Sequence, residues 1–372
     1  MYATNISNTM TNELFFELIR VSIGNAGCLS QTPSPEMWQK LYAMAEKHAL
    51  LGVCFAGVIK IKAQQQVPPT AIYMKWLAIS AQIQKRNELI NKRCVELQSR
   101  LQEAKSRSFI MKGQANAALY GGELAKLRQP GDIDIMVEGG FKRVNDFVQR
   151  TYPTKEVSEL EIHYHCFDDT EVEIHCKPFM LDSPKDKLLQ KYFKQSAEAN
   201  YSNIVRLFPD NAITTPTLSF NVLHQLVHIH HHLFYEGVGL RQCMDYYFLL
   251  MNLDKDDTGV HHALCTITDL GLDRFASALM WMLGYVFGLN RDRMLWKPNE
   301  KDGRFLLREI MLSGNFGKQD DRQRNLYKSK WHSFWIVHLK TYRLRRFDPW
   351  AWFWSPIYRI RGKVWQVVHG YR

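Results

Sequence analysis

The sequence contains no CxxC pair, and its seven cysteines are scattered along 372 residues. A structural zinc site or a disulfide framework is therefore not expected. No segment has the form GxxxxGK[ST], so phosphate binding by a Walker-type loop is excluded. Since 46% of the residues are apolar, the chain can bury a substantial core without covalent staples. These features favour a reducing compartment, and we expect a cytoplasmic protein.

Long hydrophobic segments are also missing. The chain has no run of about 18 consecutive apolar residues, the minimum for a helix that spans a bilayer, so we expect no transmembrane segment. The first residues are polar as far as Glu13 and lack both a basic start and a small-residue cleavage site. We therefore expect no signal peptide.

Acidic residues are scarce at the C-terminal end. Residues 322–372 contain 12 Lys or Arg and a single acidic residue, Asp348, so the net charge of +11 lies entirely in this segment. The segment is also rich in tryptophan. Basic and aromatic side chains together indicate docking onto the protein's own core, contact with an anionic lipid surface, or binding to nucleic acid. A peripheral location at a membrane is thus one expectation.

Hydrophobic periodicity predicts an α+β protein, a mostly helical chain around a small mixed β-sheet. Apolar residues recur at helical spacing over 12–26, 36–62 and 71–106. Beyond Pro178 the pattern is helical again. The predicted regions are an N-terminal helical region (1–106), a catalytic core (107–180), a C-terminal helical region (181–320) and a basic, Trp-rich tail (321–372).

Strand patterns are confined to the predicted core. Residues 109–111 form a short apolar run, and in residues 132–137 apolar and acidic residues alternate. Helices are predicted over 114–124 and 141–150. Two alternating runs within 160–174 flank a turn at Asp168-Asp169-Thr170, which predicts an antiparallel hairpin.

Three carboxylates are the candidate catalytic and metal-binding residues. Alternation places Asp132 and Asp134 on one face of a strand, where two neighbouring negative charges favour a bound cation. In the later strand, Val172 and Ile174 face one side and Glu173 faces the other. Glu173 is therefore the candidate third ligand, with Glu171 as the alternative. A carboxylate cluster of this kind suits two Mg²⁺ ions that clamp a phosphoryl group, and Glu173 can also accept the proton of a hydroxyl. The simpler interpretation is a solvated strand end.

A phosphate-binding element is predicted at Lys112-Gly113-Gln114, where a strand meets a helix. The start of a helix presents free N–H groups and a positive dipole to an anion. Lys112 and Arg128 are candidate partners of a triphosphate.

The order of these motifs, Lys112-Gly113, Arg128, Gly131-Asp-Ile-Asp134 and Val172-Glu-Ile-His175, resembles the DNA polymerase β-type nucleotidyltransferase superfamily. More narrowly, the chain is similar to the bacterial family of uncharacterised nucleotidyltransferases. The resemblance covers roughly residues 36–250 and includes Met44-Ala45 with His48, and Gly239-Leu-Arg241 with Asp245. In one departure from the superfamily pattern, Gly113 lies farther from Asp132 than the usual glycine pair lies from its first aspartate.

This resemblance implies transfer of a nucleotide from a nucleoside triphosphate, with Mg²⁺ or Mn²⁺ held by Asp132, Asp134 and Glu173. The acceptor is left open among a sugar phosphate, a small metabolite, a protein and an RNA, since one fold hosts many substrates. A non-catalytic nucleotide-binding module is an alternative, and a toxin-like enzyme that modifies tRNA is another.

Histidines form a second group of candidates. His224, His228 and His231 share one face of a predicted helix at metal-ligand spacing, which is compatible with zinc, with buried structural histidines, or with contact to substrate. His163, His165 and His175 lie on strands and are candidate substrate contacts. Pairing of His163 and His165 with nearby carboxylates is the simpler interpretation.

Arg241 and Asp245 are four residues apart on a predicted helix. They are expected either to form an ion pair on the helix surface, or to leave Arg241 free to contact the substrate.

Overall fold

The computed structural model describes residues 2–317 and 330–371. The α-helices are, in chain order, α1 (Tyr2–Ile23), α2 (Pro35–Lys47), α3 (Leu51–Lys60), α4 (Thr70–Glu103), α5 (Gly113–Tyr120), α6 (Gly122–Leu127), α7 (Gly140–Thr151), α8 (Asp186–Asn200), α9 (Leu218–Tyr235), α10 (Leu240–Asn252), α11 (Thr258–Asp269), α12 (Asp273–Phe287), α13 (Glu300–Ser313), α14 (Lys330–Arg343) and α15 (Ala351–Val368). The strands are β1 (Ser108–Met111), β2 (Ile133–Val137), β3 (Glu161–His163), β4 (Val172–His175), β5 (Ile204–Leu207) and β6 (Asn211–Thr214). This α+β architecture confirms the expected fold class.

The first part of the predicted basic tail, residues 321–329, lies outside the described residues. Within the residues that are described, none of the helices combines the length and apolar character needed to cross a lipid bilayer.

Four strands form a mixed sheet in the order β1-β2-β4-β3. β2 pairs with β1 in antiparallel fashion and with β4 in parallel, and β3 pairs antiparallel to β4. One face of the sheet is apolar, with Ile133, Ile135 and Ile174 almost completely buried. These side chains belong to a core that also includes residues of α4 and α7. Burial of this face fixes which residues of each strand point to the other side.

A second, larger core joins the helices on both sides of the sheet in sequence. It includes Trp38 of α2, Trp76 of α4 and Phe55 of α3, together with Phe234 of α9 and Phe275 of α12. The helices that precede the sheet region in the chain therefore pack directly on the helices that follow it.

The segment predicted as one helix over 36–62 is two helices, α2 and α3. α2 starts after the predicted break because Ser34 accepts a hydrogen bond from the Met37 N–H and Pro35 occupies the first turn. The interruption falls at His48, whose backbone carbonyl and ring Nδ1 accept hydrogen bonds from the first N–H groups of α10. A tertiary contact with α10 thus overrides the helical pattern.

Two further predictions from periodicity are wrong. The helix expected over 114–124 is divided into α5 and α6, because Gly121 and Gly122 both have positive φ. Residues 204–214, expected to be helical, form the β5–β6 hairpin. Its turn is built from Phe208-Pro-Asp210, and the proline and aspartate favour a turn over continued helix at this point.

Gly52 of α3 provides a test of this packing. A Cβ atom at this position would overlap the backbone carbonyl of Leu127 at the end of α6. We expect Gly52→Ala to lower the free energy of unfolding by about 1–3 kcal/mol through overpacking, although Ala favours a helix over Gly by up to about 1 kcal/mol. Urea denaturation measures the difference. Gly27→Ala is the control, since that Cβ would meet no atom within 4 Å, and equal stability of the two variants would contradict the close approach.

Candidate active site

Acidic and imidazole side chains cover the second face of the sheet. Asp134 of β2 is in register with Glu173 of the parallel strand β4. On β3, His163 lies opposite Glu173 and Glu161 lies opposite His175. Because side chains alternate across a strand, all five project from the face opposite the apolar core. The structure therefore brings Asp134, Glu173 and His175 together, as the alternation predicts.

Asp134 is the centre of this cluster. Its Oδ1 atom lies 2.6 Å from the Lys112 ammonium and 2.9 Å from His175 Nε2. The same imidazole nitrogen is 3.6 Å from a Glu161 oxygen and 3.9 Å from a Glu173 oxygen. The buried Nδ1 atom of His175 has no hydrogen-bond partner in the described part of the chain. His175 thus holds its ring nitrogen at the point where the three carboxylates converge.

The described residues contain two groups whose potential metal-ligand atoms all lie within 4.8 Å of one another. One consists of Asp134, Glu173 and His175, and the other of Glu161, His163 and Glu173. Carboxylate oxygens suit Mg²⁺ and Mn²⁺, and Mn²⁺ also accepts an imidazole ligand. In this structure the Lys112 ammonium lies against Asp134, where a bound metal ion would supply the positive charge. The donor set therefore fits a divalent ion, although Asp132 lies outside both groups, exposed at the entrance.

The local charges shift the pKa values of the three predicted ligands. The charge of Asp134, together with reduced hydration inside the cleft, raises the pKa of Asp132. Burial acts to raise the pKa of Asp134 as well, but Lys112 and His175 hold that pKa well below its ordinary value. Burial, with the charges of Glu161 and Asp134, raises the pKa of Glu173 to about 8. Without a cation, Glu173 therefore carries a proton at neutral pH.

This shift of Glu173 makes stability depend on pH. Its pKa is about 8 in the folded chain, against an ordinary value of 4.5. Between these values the folded state holds a proton that the unfolded state has released, so stability falls as the pH rises through this window. Each pKa unit between the folded and unfolded states changes the free energy of unfolding by about 1.4 kcal/mol. We expect Glu173→Gln to raise the melting temperature of the metal-free protein above about pH 8 and to leave it unchanged near pH 4.

Differential scanning calorimetry in EDTA at both pH values measures this effect. Glu103→Gln is the matched control, because Glu103 is exposed at the end of α4. Equal responses of the two variants at high pH would contradict the buried, proton-carrying Glu173.

The carboxylates open into a cleft of about 310 Å³ that is lined on one side by Lys112, Gly113 and Asn116. Lys112 lies between β1 and α5 with φ 49° and ψ −136°, and α5 begins at Gly113. This sharp reversal places the first turn of α5, with its free N–H groups, at the cleft wall. A strained conformation in a residue with a β-carbon is common where a binding site needs it.

Two predicted nucleotide-binding residues have other partners. The Gln114 side chain donates to Asn87 and Asn91 and lines a separate cavity, so the structure does not bring it to the carboxylates. The Arg128 guanidinium lines the cleft but donates through Nε and Nη2 to the two oxygens of Asp245, each at 2.7 Å. Its contact with a triphosphate stays a prediction.

Arg241 does not form the predicted surface ion pair with Asp245. The Asp245 carboxylate is buried and accepts hydrogen bonds from Arg128, Tyr120 and Asn116. Arg241 instead donates to the Gln129 carbonyl at 2.9 Å and lines the cleft. On α10 the Asp245 side chain points towards α5 and the Arg241 side chain points towards Gln129, so these two side chains do not meet. This arrangement is compatible with the alternative that Arg241 contacts substrate.

The histidine-rich helix α9 also lines the cleft, as the substrate-contact interpretation of its histidines expects. His228, His231, His232 and Glu236 line the cleft. His232 donates from Nδ1 to Glu236 at 2.8 Å, and its Nε2 atom lies 2.8 Å from His228 Nε2. His228 therefore supplies the proton of the second contact when both rings are neutral.

The potential ligand atoms of His224, His228 and His231 do not form a converging group in the described part of the chain. His224 is buried, with Nε2 bonded to the Pro178 carbonyl, and neither of the ligand groups within the described ranges includes a residue of this helix. His224 therefore fits the interpretation of a buried structural histidine, whereas His228 and His231 line the cleft, where contact with a substrate stays a prediction.

Strand β3 contributes one residue that the sequence did not assign. Glu161 lies in the cleft, and its signal was present, because it shares a strand face with His163 and His165. His163 is 3.9 Å from Glu173 and 3.7 Å from Glu156. His165 is largely exposed and 3.6 Å from Glu156. The structure thus places His163 at the cluster and His165 outside it, near a carboxylate, as the simpler interpretation expects.

Comparisons with known proteins identify the family of this chain. A sequence model of the uncharacterised nucleotidyltransferase family matches residues 34–288. No curated protein matches the sequence. The crystal structure of an antigenic nucleotidyltransferase-like protein from Paracoccidioides brasiliensis is similar over 51% of this chain and 91% of that chain, at 12% identity and a TM-score of 0.28. The family match spans most of the chain and confirms the resemblance inferred from the motifs. The protein belongs to the family of uncharacterised nucleotidyltransferases.

Proposed function

We propose that the protein transfers a nucleoside monophosphate from a nucleoside triphosphate to a hydroxyl or phosphate acceptor, with Mg²⁺ or Mn²⁺ as cofactor. The observation that carries the proposal is the convergence of Asp134, Glu173 and His175 with Lys112 in one cleft. In the transfer, an acceptor oxygen forms a bond to the α-phosphorus. The bond from that phosphorus to the bridging oxygen breaks, and pyrophosphate leaves with the electron pair.

Asp132, Asp134 and Glu173 are the proposed metal ligands, and a bound divalent ion supplies charge that stabilises the transferring phosphoryl group and the leaving oxygen. Asp134 keeps its negative charge at neutral pH, because the Lys112 ammonium and His175 lower its pKa. Asp132 is exposed at the entrance and is therefore accessible to an ion that arrives with the nucleotide.

Lys112 and the first turn of α5 are the proposed binding groups for the triphosphate. The Lys112 ammonium lies 2.6 Å from Asp134. When a divalent ion binds that carboxylate, the ammonium is free to pair with phosphate oxygens. The N–H groups at the start of α5 add donors of fixed direction. Arg241 also lines the cleft and adds a further positive charge.

The acceptor is proposed to lie between the carboxylates and α9. There the cleft offers imidazoles from His228 and His231, the amide of Gln225 and the ring of Phe316. These groups bind through hydrogen bonds and stacking, so they suit a polar acceptor that carries hydroxyl groups. Glu173 is the proposed acceptor of the proton that the attacking hydroxyl releases.

Isothermal titration of each of the four common nucleoside triphosphates, in Mg²⁺ and in EDTA, tests the nucleotide site. Binding that requires Mg²⁺ supports the proposal and identifies the preferred base. The preferred nucleotide, labelled at the α-phosphate, is then incubated with sugar phosphates, polyols, tRNA and protein. Transfer of the label to one class identifies the acceptor. Absence of metal-dependent binding to any of the nucleotides would overturn the proposal.

A further inference from the structure

The C-terminal helices α14 and α15, with the segment that joins them, present many apolar side chains to solvent. Of the 21 large hydrophobic side chains that are exposed in the described residues, 10 lie between Trp335 and Val368. Single exposed apolar residues are normal, but a concentration of this kind marks an interaction surface. We call the surface formed by these residues the tail surface. Its members are Trp335, Leu339, Tyr342, Trp350, Phe353, Ile357, Ile360, Val364, Val367 and Val368.

The spacing of these residues shows that they form helix faces. On α15, Phe353, Ile357, Ile360, Val364 and Val367 follow one another at intervals of four and three, which places them on one side of the helix. Their exposed fractions range from 45% at Ile357 to 76% at Val367. On α14, Trp335, Leu339 and Tyr342 follow one another at the same spacing. Each helix therefore presents a stripe rather than scattered residues.

The opposite sides of the two helices are fixed to the protein. Leu344, Phe347 and Ala351, in and around the connection, are buried in the helical core. Near the end of α15, Trp365 packs edge to face on Phe141 of α7, at 5.2 Å between ring centroids. The tail therefore docks on its own core, as one of the sequence expectations holds, and this docking leaves the tail surface outward.

Basic side chains accompany the stripe. Arg359, Arg361 and Lys363 are exposed on α15, and Arg345 is exposed just before it. The whole net charge of +11 belongs to the segment that contains these helices. An amphipathic helix with aromatic and aliphatic residues on one face and Lys or Arg beside it lies in the plane of a membrane and favours anionic lipids.

We propose that the tail surface binds the surface of an anionic lipid bilayer, with the α15 stripe inserted among the lipid chains and the basic residues at the headgroups. A second copy of this chain would bring the same basic segment against itself, and the like charges would repel. Single-stranded nucleic acid binds by stacking on aromatic rings, whereas most of the stripe on α15 is Val and Ile. The proposal is independent of the catalytic function.

Flotation of the full chain with vesicles tests this proposal. One set of vesicles is pure phosphatidylcholine, and the other contains about one third phosphatidylserine. We expect binding to the anionic vesicles to be at least tenfold stronger and to weaken with added salt, because surface charges are screened. Failure to float with anionic vesicles would overturn the proposal.

Variants assign the binding to the tail surface. Ile360→Asp/Val364→Asp is expected to lower vesicle binding at least tenfold. The matched control is Met74→Asp/Leu77→Asp on α4, whose side chains are similarly exposed, and it is expected to bind as the wild type does. Arg359→Gln/Lys363→Gln gives a second test with no apolar change, and it should lose the preference for anionic vesicles. Circular dichroism melting checks that each variant is folded.

Three results would overturn the lipid assignment. One is equal loss of binding in the tail and control variants. Another is a lipid-independent dimer, seen by light scattering, that Ile360→Asp/Val364→Asp dissociates, since this would identify a second copy as the partner. The third is tight binding of single-stranded RNA, lost in the same variant, without binding to vesicles.

Discussion

Replacement of Asp132 by Asn is expected to abolish nucleotidyl transfer while the fold stays intact. Asp132 is a proposed metal ligand that is exposed at the cleft entrance, so Asn of equal size fits without repacking. The variant loses charge that holds the divalent ion against the phosphates. Metal ions contribute several kcal/mol to such a transition state. With a tenfold change in rate for each 1.36 kcal/mol, the expected loss is about a thousandfold.

Release of pyrophosphate from the nucleotide that binds in Mg²⁺ measures this loss, and thermal melting measures folding. Asp146→Asn is the matched control, because Asp146 is an exposed aspartate on α7 outside the cleft. The control is expected to retain full activity and the same melting temperature. An Asp132→Asn variant as active as the control would contradict the metal role. Nucleotide binding without turnover in the wild type would indicate the non-catalytic module.

Loss of the buried Arg128–Asp245 ion pair is expected to have the largest effect on stability. The pair has two contacts of 2.7 Å, and both side chains are nearly inaccessible, at 4% and 5% exposure. Removing one partner of a buried pair leaves the other charge uncompensated, which costs about 3–5 kcal/mol. Asp245→Asn also removes the charge to which Tyr120 and Asn116 donate. We expect the free energy of unfolding to fall by that amount in urea denaturation.

The exposed pair of Arg304 and Glu300 provides the comparison for this measurement. Both of its side chains are more than 60% exposed, and such pairs contribute at most about 1 kcal/mol. Glu300→Gln is therefore expected to have little effect. If Asp245→Asn and Glu300→Gln lower the free energy of unfolding equally, the buried pair does not hold α10 against the end of α6. A double variant, Arg128→Met/Asp245→Leu, is expected to recover part of the loss, because it leaves no charge buried.

The carboxylate strands were predictable because their signal is local. Alternation in residues 132–137 and 171–175 determines which side chains share a face, and burial of the isoleucines enforces that choice. The periodicity of α1, α4 and α9 was equally strong. By contrast, the division between α2 and α3 follows from contacts of His48 with α10, nearly two hundred residues away. No local pattern contains that information.

The α5–α6 boundary and the β5–β6 hairpin were missed for a different reason. Gly121-Gly122 and Phe208-Pro-Asp210 are local breakers and turn formers, and here they override the apolar spacing around them. Glu161 also had a usable signal on its strand face. These residues belong to what sequence alone can supply.

The sequence by itself determined the α+β composition, the polar face of β2 and β4, the junction at Lys112-Gly113 and the position of the excess positive charge. Each depends on the spacing of neighbouring residues or on composition. The tertiary structure decided that β4 lies beside β2, that Asp245 binds Arg128 rather than Arg241, and that α9 lines the cleft. Arg128 and Asp245 are 117 positions apart. Such contacts depend on how separate elements pack, and a linear pattern specifies the faces of those elements without specifying their partners.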